Sequence, residues 1–233
     1  MSTRSPAASV ELAEQPAFPK AVAKPRLRGV SHQIAFFVAI VATVALVRGT
    51  QSPRGRLAAA IFGASLILLF GVSALYHRIN WSVAARARMR RLDHAAIFVL
   101  IAGGYTPMFL LVPLPAGSYR ALWAIWIGAS IGVVKSLVWS KAPKWVTAAV
   151  CVVLGWTVTG EVLARIPMVG LRAVVLLVTC GAIYTLGATV YALKRPNPSP
   201  AWFGYHEVFH ALVIVASGVL YAHVACVLAA VGA

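Results

Sequence analysis

The chain has 233 residues, of which 61% are hydrophobic and only 11% charged. Soluble domains carry roughly 45–50% apolar and about 25% charged residues, so a soluble globular protein is excluded. The net charge of +16 comes from 21 Lys and Arg against five acidic residues. Nucleic-acid binding is nevertheless excluded, because the basic residues sit between long apolar runs and do not line a helix with interleaved aromatics. Anionic lipid headgroups are the natural counterpart of such charges.

Residues 1–30 are rich in Pro, Ala and charge, without apolar periodicity, and read as a disordered basic cytoplasmic tail. They lack the short apolar core and the cleavage site of a secretory signal. Residues 31–233 read as one transmembrane domain. Its seven apolar segments are predicted at about Ser31–Val47, Leu57–Tyr76, Ala95–Val112, Ala121–Trp139, Trp145–Val162, Ala173–Leu193 and Trp202–Ala230. Runs of this length with few charges are membrane spans. Pro107 in the third is tolerable where neighbouring helices satisfy the freed backbone groups. Lys135, near the end of the fourth, is expected to snorkel to the interface. The connections carry the expected breakers, such as P-L-P-A-G-S at 113–118 and K-R-P-N-P-S-P at 194–200. The fold class is therefore all-α, a seven-transmembrane helix bundle. Cys151, Cys180 and Cys226 lie inside apolar runs without C-x-x-C spacing and read as small buried hydrophobes.

Orientation follows from Lys and Arg. With the N-terminus cytoplasmic and the C-terminus outside, thirteen basic residues fall in inner connections and six in outer ones, leaving aside Arg4 and Lys135. That arrangement is expected in the plasma membrane, opposite to the usual G-protein-coupled receptor orientation.

Polar residues that interrupt membrane segments are costly and are functional candidates by default. The second segment ends S-A-L-Y-H, which puts Ser73 and His77 on one helical face. The third is expected to begin at L-D-H, with Asp93 and His94. The seventh begins G-Y-H-E-V-F-H, in which His206 and His210 are again four residues apart. In the deduced topology, His77, Asp93, His206 and His210 all lie at cytoplasmic helix ends. Zinc takes imidazole nitrogens readily, and a catalytic site pairs three protein ligands with an open position. His77, His206 and His210 are the candidate ligands of Zn2+. Asp93 is the candidate general base near the metal, with Ser73 placed to orient it. Zinc held this way activates water near neutral pH.

Other polar residues have plainer readings. His94 points about 100° away from Asp93 on a helix and reads as interfacial. His32 lies in the right layer and is a reserve polar contact. His223, thirteen residues beyond His210, is about 20 Å away along the helix. Glu161 reads as an interfacial anchor. Residues 206–210 also fit H-E-x-x-H, which keeps a membrane metalloprotease with Glu207 as base in view. Against it, no segment supplies a further ligand, and Glu207 sits one position off the face of the two histidines.

The motifs S-A-L-Y-H at 73–77, L-D-H-A-A-I-F-V-L-I-A-G-G-Y-T-P at 92–107 and G-Y-H-E-V-F-H at 204–210 resemble the bacterial hemolysin III family. That family is related to the adiponectin receptors and to the progestin and adipoQ receptor family. The resemblance implies a seven-helix bundle with an inside N-terminus and zinc on His77, His206 and His210, with Asp93 and Ser73 nearby. A kinship with alkaline ceramidases implies hydrolysis of a lipid amide or ester, with membrane lipid as substrate. Gly104 stands where the family pattern implies a hydroxyl residue. The family label also implies cytolysis, but no helix has the sustained polar stripe of a pore. The competing reading is a receptor or membrane-homeostasis protein in which zinc only staples helices.

Overall fold

The computed structural model describes residues 25–114, 118–139 and 141–233. The tail reading of residues 1–24 lies outside them. The described chain forms eight helices: α1 (Val30–Gly49), α2 (Pro53–Arg78), α3 (Val83–Leu111), α4 (Arg120–Val138), α5 (Lys144–Trp156), α6 (Thr159–Leu163), α7 (Ile166–Leu193) and α8 (Tyr205–Ala230). α5 and α6 together form one span, Lys144–Leu163, giving seven segments long and apolar enough to cross a membrane. The break between them falls where the Tyr105 hydroxyl donates to the Gly155 carbonyl at 2.5 Å and the Thr157 hydroxyl donates to the Leu154 carbonyl at 2.8 Å.

The seven-span architecture matches the expectation, with two differences near the candidate site. First, α3 starts at Val83, not at Leu92, and runs unbroken through Arg86, Arg88, Arg90 and Arg91. Ala, Arg and Met are strong helix formers. The Ser82 hydroxyl caps the helix by accepting from Ala85 N at 3.3 Å. Asp93 thus sits about three turns into a long helix. Second, residues 25–30, read from sequence as part of the disordered tail, are structured. Residues 26–29 form a turn whose Arg26 and Leu27 amides donate to the carbonyls of Ala201 and Trp202, at 3.0 and 3.3 Å.

That turn bears on the site directly. Gly29 has φ +79°, and a Cβ there would lie 2.6 Å from the Cβ of His77. Only glycine meets both demands without strain. Close approach also sets the α2–α3 contact, where a Cβ on Gly103 would lie 2.3 Å from Ser65 Oγ. Small residues at such crossings let membrane helices pack by van der Waals contact. Phe62, Phe98, Phe109 and Met108 fill the centre and are buried.

At the opposite end of the bundle from His77, Arg165 is buried just before α7. Its guanidinium donates to Val112 O at 2.8 Å and to Glu161 at both the carbonyl, 2.5 Å, and the carboxylate, 3.0 Å. It also lies over the Phe109 ring at 4.8 Å. Glu161 is therefore the partner of a buried arginine as well as a surface residue.

Candidate metal centre

α2 delivers His77 at its last turn, and α8 delivers His206 and His210 from its first two turns. The candidate ligand nitrogens of these three residues all lie within 4.8 Å of one another, and all three residues are buried. His206 Nε2 and His77 Nε2 are 3.0 Å apart. Two imidazole nitrogens at that distance can share one proton, since two lone pairs facing each other would repel. Equally, they can turn both lone pairs on one cation. Tetrahedral zinc at about 2.0–2.1 Å from nitrogen sets its ligands about 3.3–3.4 Å apart. The donor set therefore fits a borderline-soft transition metal. His210 Nδ1 is buried and makes no hydrogen bond among the described residues.

Around the trio, the structure revises several expectations. His32 is no reserve contact. Its ring lies parallel to that of His210, with centroids 3.8 Å apart and planes at 7°, and its edge meets Phe70. It is 2% exposed and borders the same cavity as His210. His94 is not interfacial; it faces that cavity, with Nε2 3.4 Å from the Tyr191 hydroxyl. Lys135 is half-exposed in the last turn of α4, and its Nζ donates to Thr147 Oγ1, in the first turn of α5, at 2.6 Å. Apolar patterning is silent on all three, since a helix that is apolar nearly all round does not show which face turns inward.

Ser73 lies in the last two turns of α2 and Asp93 about three turns into α3. Both line the cavity, and the Ser73 side chain hydrogen-bonds Asp93. Glu207 is engaged elsewhere. Its Oε2 accepts from Gly204 N at 2.8 Å, capping α8, and its Oε1 accepts from Arg28 Nε. With both oxygens occupied and the side chain 2% exposed, Glu207 is a clamp between the N-terminal turn and α8. That engagement weighs against Glu207 as the free base of the H-E-x-x-H reading. His223, far along α8, holds Ala173 O through Nδ1 at 2.8 Å and takes no part in the cluster.

The cavity beside the histidines has a volume of about 160 Å³. His206, His210, Asp93, Ser73 and His94 border its polar end, and Leu100, Gly104, Leu177, Val213 and Leu220 its apolar depth. Asp93 and Gly104 are eleven residues apart on α3, about 16 Å. That is close to the hydrocarbon depth of one leaflet, half of about 30 Å. Gly104 lets the Leu220 side chain approach α3 closely there, as a Cβ would lie 2.9 Å from it.

Fold and site together define a seven-helix, multi-pass membrane protein with a buried three-histidine cluster at one end of an apolar cavity. The family described as Haemolysin-III related matches residues 20–221. Hemolysin-3 homolog of Bacillus subtilis (strain 168) is 30% identical over 162 residues, covering 69% of this chain and 72% of that protein. Hemolysin-3 of Bacillus cereus is 28% identical over 199 residues, covering 82% and 86%. The human monocyte to macrophage differentiation factor is 25% identical over 198 residues, covering 82% and 79%. The chain belongs to the haemolysin-III family, and its place is the plasma membrane.

Proposed function

We propose that this protein is a zinc-dependent membrane hydrolase that cleaves an amide or ester bond of a lipid at the inner leaflet, with its N-terminus cytoplasmic. One observation carries the reading. A buried cluster of three imidazoles, beside a carboxylate, opens onto an apolar chamber about one leaflet deep. His77, His206 and His210 would hold the metal, which when bound activates water and polarises a carbonyl. The remaining work falls to the chain. The apolar walls formed by α3, α7 and α8 take the acyl chain and exclude bulk water from the reacting bond. Ser73 fixes the Asp93 carboxylate toward the cavity. Asp93 then accepts a proton from the attacking water as its oxygen bonds the acyl carbon. It returns that proton to the leaving nitrogen or oxygen as the acyl bond breaks.

Turnover of ceramide or another N-acyl lipid by purified protein tests this. The reading expects hydrolysis that a chelator stops, and that Asp93→Asn lowers by about 10²–10⁴-fold, the range of a lost general base. Chelation that leaves turnover unchanged would refute it. A structural metal is the second reading, favoured by the way the three ligands tie α2 to α8. It expects chelation to lower the melting temperature while no lipid is cleaved. For lysis, the described residues offer no comparable observation.

A further inference from the structure

Most basic residues at the histidine end do what topology asks of them: Arg78, Arg86, Arg88, Lys141, Lys194 and Arg195 are exposed. Two lysines do not. Lys144, the first residue of α5, is half-buried; its Nζ donates to the Tyr205 hydroxyl at 2.6 Å and lies 4.7 and 4.8 Å over the rings of Tyr191 and Tyr205. Lys135 reaches from α4 to Thr147, which is buried and lines the cavity. Among the described residues neither lysine has a carboxylate within ion-pairing distance. Both lie within Coulombic reach of His94, as Arg90 does, and His94 borders the cavity.

The acidic residues do not balance them. Of the five acids, Glu161 pairs with Arg165 at the far end, and Glu207 is matched by Arg28. Asp93 is the one other acid among the described residues. Lys135, Lys144 and Arg90 thus bring three positive charges to the neighbourhood of His94, where Asp93 is the one described carboxylate without a paired cation, and charge gathered at the edge of a membrane segment marks a candidate site. A bound metal would add two more positive charges. The groups that the two lysines touch, Thr147 and Tyr191, both line the cavity, and each head sits on a flexible four-carbon stem.

We infer that the polar end of the cavity is an anion subsite: Lys135 and Lys144 hold an amphiphile whose headgroup bears a carboxylate or a phosphate, at a position separate from the bond that is cleaved. This rests on the reading that the cavity takes a lipid chain, but not on the metal. Selection then lies in the headgroup. A neutral amphiphile of the same chain length leaves the two lysines uncompensated, whereas an anionic one neutralises them in a medium of low dielectric.

The test is equilibrium binding to the full chain in phosphatidylcholine nanodiscs. The probes are oleate, 1-oleoyl lysophosphatidate and, as the neutral control, oleyl alcohol. The expected result is that both anions bind at least about tenfold tighter than the alcohol. Lys135→Met and Lys144→Met are each expected to remove most of that preference, while Lys144→Arg keeps it. The same preference is expected in chelator-treated protein, which separates the lysines from any carboxylate bound by a metal. Zinc content measured on each sample shows independently whether the metal reading stands. Equal affinity for oleate and oleyl alcohol would overturn the inference, as would a preference unchanged in Lys135→Met should Lys144→Met fail to fold. Full competition by millimolar inorganic phosphate would also overturn it, by assigning the subsite to a free anion.

Discussion

Where α6 meets α7, the Arg165 guanidinium is 1% exposed and is met by two backbone carbonyls, a carboxylate and a phenyl face. At the other end, His77, His206 and His210 are buried against one another, and His210 Nδ1 has no hydrogen-bond partner among the described residues. Burying a polar group costs free energy unless it is paired. The Arg165 end meets that requirement within the chain and joins α3, α6 and α7 into one lock. The histidine end meets it only in part, with ligand-type atoms converging on a common point. The first is how a fold secures itself; the second is how a fold holds a site.

Substitutions sharpen this contrast. The largest effect is expected from His210→Ala, which should abolish the rise in melting temperature that added zinc gives the unsubstituted protein, since two remaining imidazoles make a poor site. Differential scanning fluorimetry in detergent with and without zinc reads this. A zinc-induced shift of unchanged size would show that the trio is ordinary packing. Arg165→Met is expected to do the reverse. It leaves Val112 O and the Glu161 carboxylate without their donor, at a cost of about 2–4 kcal/mol, yet the surviving folded protein should bind zinc normally. Loss of zinc binding in that variant would mean that the two ends are not separable.

Smaller effects probe the surroundings of the trio. Gly29→Ala forces a Cβ onto His77 at a positive φ, and is expected to cost about 1–3 kcal/mol and to weaken zinc binding with it. His32→Ala removes the ring stacked on His210, and is expected to lower zinc affinity by about tenfold, the lower range for residues that support ligands. His32→Phe should restore most of it by restoring the stack, as isothermal titration with zinc would show. Glu207→Gln should be the mildest, about 1 kcal/mol for a weakened cap and ion pair, with zinc binding intact. A loss of bound metal there would return Glu207 to the site.

How far the sequence could reach follows the same division. The bundle was legible because spans of this length and apolarity have no soluble alternative. His77, His206 and His210 were legible because each interrupts an apolar run at a comparable depth, two of them one helical turn apart. The start of α3 was not, since an Ala- and Arg-rich stretch has no apolar face yet is a strong helix by propensity. The inward turn of His94, the Lys135–Thr147 contact and the stack of His32 on His210 depend on how each helix rotates about its own axis. Helix rotation is set by packing, through contacts such as Gly103 on Ser65 and Gly29 on His77. The clamp of Glu207 on Arg28 joins residues 179 apart and belongs to the tertiary fold alone.

X-ray absorption at the zinc edge, on purified protein with its metal content counted, bears on the centre most directly. The result expected here is one zinc per chain with three imidazole nitrogens at about 2.0–2.1 Å, reduced to two in His77→Ala. Protein without stoichiometric transition metal, or an absorption spectrum that His77→Ala leaves unchanged, would contradict it.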